Sequence, residues 1–287
     1  VKQSKPAIPP TVAHPPLKWP GGKRHLLPEI LPRLPKKIKT YYEPFVGGGA
    51  VFFALAAEEG RFKKAVIGDV NEELMRTYNV LSHSSDRVIR KLKQHAREHS
   101  ENHYYDVREL DRLGHLHPVV LAARMIYLNR TCFNGLYRVN KTGRFNTPFG
   151  RYKNPTICNE ENLLAVADVL GRKARMVTGD FETIVKKARR GDAVYFDPPY
   201  WPVSATSNFT AYSEGGFDHL DQTRLRDCFA RLDKRGVHVL LSNSDTPLVR
   251  KLYKGFKIEK VQAPRRINSK GGKRGNVGEL LISGRRT

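Results

Sequence analysis

The alternation of short apolar runs with helix-like stretches, broken once by a long polar interval, limits most strictly what this chain can fold into. From Tyr41 a short apolar approach ends at Glu43-Pro44-Phe45-Val46, three glycines follow, and Ala50 to Glu59 has helical composition. Ala65-Val66-Ile67-Gly68-Asp69 is a second short strand, ending in a carboxylate. Strand, helix, strand opens a parallel sheet, because parallel neighbours need a crossover that packs on a face. From Asn71 to about Leu164 the chain is charged and helical, then rich in Gly and Asn between Asn129 and Gly150. Alternation resumes at Ala174-Arg175-Met176-Val177, continues through Ala193-Val194-Tyr195-Phe196 and Val237 to Leu241, and finishes near Ile258 to Val261 and Glu279 to Ile282. The pattern predicts an α/β fold with one mostly parallel, seven-stranded sheet, helices on both faces and a helical insert carrying a hairpin. Residues 1–16 read as a Pro-rich arm of polyproline character, 17–72 and 165–287 as the sheet domain, and 73–164 as the insert.

Asp197-Pro198-Pro199-Tyr200 directly follows an apolar strand, which places it at the carboxyl end of that strand, where open α/β sheets bind ligands. Asp197 supplies a carboxylate acceptor and Pro198 a backbone carbonyl, while Pro198 and Pro199 fix their φ angles and aim that carbonyl. Two acceptors so arranged suit an aryl-type amine, whose delocalised lone pair must be turned toward tetrahedral geometry before it attacks a methyl donor. Tyr200 offers a flat face for a base that has left a duplex. Taken alone, the tetrapeptide also fits a proline-rich turn with an aromatic packed beneath it.

The turn Glu43 to Ala50 lets backbone N–H groups approach a ligand closely, since Gly47, Gly48 and Gly49 carry no side chains. It is not the dinucleotide fingerprint, which wants a glycine where Phe52 stands, and Gly22-Lys23 is followed by Arg24 rather than the Ser or Thr of a phosphate loop. Asp69, about 20 residues on, ends the next strand in the place that accepts ribose hydroxyls in nucleoside-binding α/β folds. The pocket therefore suits a nucleoside without phosphates.

These motifs together resemble the Dam-like DNA N6-adenine methyltransferases, in which the cofactor half precedes a target-recognition insert and the catalytic half follows it. The resemblance runs from Leu17 onward through Lys18-Trp19-Pro20-Gly21-Gly22-Lys23, the Pro44 to Ala50 turn, Asp69-Val70-Asn71, Gly179-Asp180-Phe181, Asp197 to Tyr200 and Arg265-Arg266-Ile267. It implies a Rossmann-like methyltransferase sheet and S-adenosylmethionine as cofactor, S-adenosylhomocysteine as product. It implies further that Phe45, Gly47 and Gly49 line the methionine end, that Asp69 holds the ribose, and that Asp180, beside Phe181, takes the adenine amine. Trp19 and Lys23 are implied to close over the pocket, with Asp197 at its catalytic edge. From the residues alone, Asp180 equally fits a strand-end cap and Trp19 a core position.

The insert contains Asn129 to Asn140, then Phe145-Asn146-Thr147-Pro148-Phe149-Gly150. Asn134-Gly135 favours a tight turn, with polar, aromatic and Arg residues around it. Arg reads guanine bidentately, Asn suits adenine and an aromatic can wedge between bases. A similar Asn-Gly-Leu-x-Arg stretch in Dam-like enzymes reads GATC, which implies Arg138 as guanine reader, Phe133 as wedge, and Arg130, Asn134, Leu136 and Pro148 as helpers. Thr206, Asn208 and Phe209 are expected in a loop closing on the flipped nucleotide, and Arg265 and Arg266 on phosphates. A structural hairpin and a solvated charge run are the competing readings.

The charge points the same way: 51 Lys and Arg against 28 Asp and Glu give a formal +23, spread along the chain, which fits a polyanionic partner, double-stranded DNA. Cys132, Cys158 and Cys228 form no C-x-x-C pair, which argues against a disulfide framework or zinc knuckle. No membrane span or secretory signal is read, so a cytoplasmic, nucleoid-associated protein of a prokaryote or phage is expected. His95, His99 and His103 recur at metal-ligand spacing, but among Lys, Arg and Glu they read as a solvated helix face, and no metal is expected. A monomer is expected, with a restriction endonuclease reading the same site as the protein partner. Methylation of an RNA base amine, or DNA binding without chemistry, are the alternatives.

Overall fold

The computed structural model describes residues 11–110, 114–203, 216–263 and 277–285. Among them seven strands form one sheet: β1 Ile38–Glu43, β2 Phe62–Asp69, β3 Ala174–Thr178, β4 Ala193–Phe196, β5 His238–Ser244, β6 Lys257–Ala263 and β7 Val277–Ser283. Their order is β3-β2-β1-β4-β5-β7-β6. The first five run parallel, and β7 lies antiparallel between β5 and β6. The seven-stranded, mostly parallel α/β sheet expected from the alternation is therefore present.

Helices cover both faces, and the two-residue side-chain period of a strand assigns each residue to one of them. Tyr41, Ile67, Ala193 and Tyr195 face a layer containing Phe52 and Leu55 of helix α2 (Ala50–Ala57), which follows the single-turn α1 (Leu27–Ile30). Tyr42, Val66, Val194 and Phe196 face the other layer. It contains Ile184 of α7 (Phe181–Val185), Leu225 and Phe229 of α8 (His219–Lys234), and Val249 of α9 (Pro247–Leu252). From β1 the chain winds outward to β2 and β3, then restarts at β4 on the other side of β1. The carboxyl ends of β1 and β4 thus flank the crevice that such a reversal opens.

Between β2 and β3 come α3 (Glu72–Arg97), α4 (Glu101–Glu109), α5 (Pro118–Thr131) and α6 (Glu160–Lys173). Asn71 caps α3 by accepting from the Leu74 N–H at 2.9 Å. Between α5 and α6 the chain doubles back, with bridges pairing Cys132 with Phe149 and Val139 with Phe145. Asn134-Gly135 makes the tight turn its composition predicts, with φ of 55° and 64°. The hairpin reverses elsewhere, at Asn140 to Arg144, where the Asn140 N–H donates to the Arg144 carbonyl at 2.8 Å.

The solvated-face reading of the three histidines is corrected. Val88, Ile89, Leu92 and His95 share the inner stripe of α3 at helical spacing, which carries His95 into the protein at 3% exposure. Its ring stacks on Tyr127 of α5 at 4.9 Å, and burial lowers its pKa to about 4. The last residues of the arm dock on α6: the His14 N–H donates to Asn162 Oδ1 at 2.8 Å, and Asn162 returns a bond to the His14 carbonyl at 3.0 Å.

Candidate active site and recognition face

The glycine turn is held open from three directions. Asp69 Oδ2 accepts from the Gly47 N–H at 3.1 Å, its Oδ1 accepts from the Asn71 N–H at 3.0 Å, and the Tyr78 hydroxyl donates to the Gly47 carbonyl at 2.8 Å. Burial raises the pKa of Asp69, and backbone donors at Asn71, Gly47 and Val70 work against that rise. Gly47 at φ 46° has no room for a side chain, because a Cβ there would meet the Trp19 ring at 2.6 Å. Gly49 at φ 73° is similarly hemmed by Phe53, at 2.9 Å. Trp19 therefore lies directly over the turn. Phe45 stands beside it in an aromatic wall with Phe181 at 5.6 Å and Phe217 at 5.7 Å.

Asp180 caps α7 through the Glu182 N–H at 3.0 Å and meets Arg224 at 3.1 Å, so the strand-end cap is its observed contact. The turn, the carboxylate of Asp69 at a strand end and the aromatic wall are together the donor set and shape that a nucleoside-type sulfonium cofactor requires. The residues present fit S-adenosylmethionine.

At the end of β4, Asp197 is gripped from two sides on one oxygen. Lys23 Nζ lies 2.9 Å from Oδ1, and the Ser242 hydroxyl donates to the same atom at 2.9 Å. Among the described residues Oδ2 has no hydrogen-bonding partner. Burial raises the Asp197 pKa, and Lys23 and Ser242 oppose that rise, favouring the carboxylate. Tyr195, two residues earlier and facing the same layer, places its hydroxyl 2.8 Å from Ser242 Oγ.

The rest of the tetrapeptide is fixed by the polar tail of β5. Gln222 donates to the Pro199 carbonyl at 3.0 Å, and Asn243, which holds Gln222 at 3.1 Å, accepts from the Trp201 N–H at 3.1 Å. No described residue donates to the Pro198 carbonyl. The Tyr200 hydroxyl donates to Glu279 of β7 at 2.7 Å, with the Lys23 ammonium 4.6 Å from its ring centre. Lys23, expected over the cofactor, is thus placed on the Asp197 carboxylate, and it also donates to the Gly21 carbonyl at 2.6 Å.

Glu43 completes this floor. It is 2% exposed at the end of β1, accepts from the Tyr41 hydroxyl at 2.8 Å, and is raised by burial to about 8. Burial also pushes the thiols of Cys132 and Cys228 up to about 12 and about 11, away from nucleophilic use.

The turn and hairpin bring Phe133, Asn134, Leu136, Arg138 and Pro148 to the surface, all exposed. The Phe133 N–H donates to the Pro148 carbonyl at 2.9 Å, and Arg138 Nε to Asn146 Oδ1 at 2.7 Å. Arg130 is not with them: its guanidinium donates to the Pro16 carbonyl at 2.6 Å, and burial lowers its pKa. Thr206, Asn208, Phe209, Arg265 and Arg266 lie outside the described residues.

Two residues join this surface to the crevice. Tyr137 stacks on Trp19 at 5.1 Å, with its hydroxyl on Glu73 at 2.7 Å. Asn129 accepts from the Lys18 N–H at 2.7 Å and donates to the carbonyls of Lys18 at 2.8 Å and Gly135 at 3.2 Å. Sequence reasoning missed Glu43, Asn129, Tyr137, Gln222, Ser242, Asn243 and Glu279 as site residues. For Ser242-Asn243-Ser244 a signal existed, as three polar residues end an apolar strand where ligands bind.

A family model for D12 class N6 adenine-specific DNA methyltransferases matches residues 19–267. The chain is 47% identical over 270 residues to the Type II methyltransferase M1.LlaDCHI of Lactococcus lactis subsp. cremoris, covering 93% of each. It is 45% identical over 282 residues to the Type II methyltransferase M.MjaIII of Methanocaldococcus jannaschii, covering 93% of this chain and 97% of that one. Against the DNA adenine methylase of Escherichia coli K12 the identity is 38% over 271 residues, with 92% and 93% covered. With the methyltransferase sheet and the Asp197 crevice in place, the chain belongs to the D12 class of N6 adenine-specific DNA methyltransferases, enzymes that depend on S-adenosylmethionine.

Proposed function

We propose that this enzyme methylates the adenine of GATC in double-stranded DNA, taking the base out of the helix and transferring the methyl group in a single in-line step. The observation that carries the reading is Asp197: Lys23 and Ser242 both occupy Oδ1, leaving Oδ2 toward an incoming amine. S-adenosylmethionine supplies an electrophilic methyl group when bound. Asp197 Oδ2 and the Pro198 carbonyl accept from the two N6 hydrogens, turning the nitrogen lone pair out of the ring plane and stabilising the positive charge that grows there. Tyr200, anchored through Glu279, provides the stacking face. A paired adenine cannot reach the floor of such a crevice, so the base leaves the stack.

On this reading residues 73–164 recognise DNA, while 17–72 and 165–287 bind cofactor and catalyse. Gly47, Gly49 and Phe45 face the methionine end, Asp69 the ribose and Asp180 with Phe181 the adenine, under Trp19. Arg138 reads guanine, Phe133 enters the stack, and Asn134, Leu136 and Pro148 complete the reading edge. One copy acts on each strand in turn, and a nuclease reading the same site is the matching protein partner. The test is methyl transfer from labelled S-adenosylmethionine to duplexes with and without GATC, with Asp197→Ala as control. N6-methyladenine is expected only in GATC duplexes and only with the unaltered protein. Equal transfer to duplexes lacking GATC would remove the recognition role given to Arg138.

A further inference from the structure

We propose that the corner between α3 and α4 is a binding site for a divalent transition-metal ion of the zinc class, held by His95, Glu98 and His103. The site lies outside the catalytic crevice. Methyl transfer needs no metal, and the ion assigned here takes no part in it. His95 Nδ1 and His103 Nε2 face each other at 3.0 Å, and Glu98 Oε2 lies 3.7 Å from that same His103 nitrogen. One ligand atom from each of the three residues falls within 4.8 Å of the others. Zinc bonds of about 2.0–2.1 Å in tetrahedral geometry put neighbouring ligand atoms about 3.3 Å apart. The His95–His103 and Glu98–His103 edges lie on either side of that length.

The surroundings fit a ligand set better than a chance gathering. Glu98 Oε1 is already taken by Gln94 at 2.9 Å, which orients Oε2 toward the histidines as carboxylates behind metal sites commonly are. His95 is buried, and Nδ1 is the ring nitrogen that reaches a partner among the described residues, facing His103. Two imidazoles and a carboxylate with one open position for water are a donor set that zinc accepts.

The position gives such an ion a consequence for recognition. Tyr104, next to His103, donates to the Thr147 carbonyl at 2.8 Å. Phe149 packs against both His99 at 5.7 Å and Tyr104 at 5.4 Å. Fixing the α3–α4 corner therefore fixes the base of the hairpin that carries Arg138 and Pro148.

The test is competition for Zn2+ between the full-length, chelator-treated protein and a chromophoric chelator, with His103→Gln, Glu98→Gln and, as control, the exposed His83→Gln. The unaltered protein and the control are expected to retain one equivalent. Loss of a partner behind a ligand already costs about 10–100-fold in metal affinity, so loss of a ligand itself should cost about 100-fold or more. Zn2+ should also raise the thermal midpoint of the unaltered protein but not of the two ligand variants, whose folding is checked by circular dichroism. No zinc retained by the unaltered protein, or zinc retained equally by folded His103→Gln and Glu98→Gln, would overturn the proposal.

Discussion

Lys23 and Asp197, 174 positions apart in the chain, meet at 2.9 Å on the floor of the crevice. Burial makes the Asp197 carboxylate harder to ionise and the ammonium makes it easier, so under the proposed mechanism the pair is expected to set the acidic limit of activity. Lys23→Ala removes the favourable charge and is expected to move the acidic limb of the pH–rate profile to higher pH. A charge-assisted hydrogen bond contributes about 1.5–3 kcal/mol, so kcat at neutral pH should fall about 10- to 100-fold. A profile identical to that of the unaltered enzyme would exclude this coupling.

Ser242 donates to the same Asp197 oxygen from a position with no exposure. Ser242→Ala is expected to lower kcat by about tenfold, as one hydrogen bond to a charged group is lost, while KM for DNA stays unchanged. Steady-state kinetics check this split. A rise in KM with kcat preserved would place Ser242 in DNA binding instead.

Glu43, buried at the end of β1, has its pKa raised to about 8 by desolvation. The folded protein then holds a proton that the unfolded chain, with an ordinary carboxyl, releases above about pH 4.3. Stability from this group is present in full below that value and is lost as pH rises toward about 8, by an amount on the order of 5 kcal/mol. Glu43→Gln mimics the protonated form and should flatten the fall. Denaturant unfolding at pH 5.5 and pH 8.5 measures it, and equal pH dependence in both proteins would refute the assignment.

Arg138 is exposed on the hairpin and rests on Asn146 at 2.7 Å. If it reads a guanine, Arg138→Ala should cost about 1–3 kcal/mol in kcat/KM at GATC and relax discrimination at one base position only. Methylation of duplexes changed at each position of the site provides the check. A uniform loss across all sequences would mark Arg138 as a phosphate contact.

What the sequence determined by itself was local. Ala193 to Phe196 is apolar enough to be a buried strand, so Asp197-Pro198-Pro199-Tyr200 had to stand at its end, and three glycines before Ala50 had to make a close-approach turn. Asn134-Gly135 likewise specified φ > 0 from its own composition. Tertiary structure alone decided which distant residues meet. Strand order sets β1 and β5 on either side of β4, bringing Ser242 to Asp197 and burying Glu43 in the same floor. It laid Tyr137 on Trp19, tied Arg130 to the arm rather than to the hairpin face, and turned His95 inward toward His103. Periodicity and backbone preference are encoded in contiguous residues, whereas the pairing of side chains across layers depends on how whole elements pack. That is why the motifs were legible in the sequence and the partners that tune them were not.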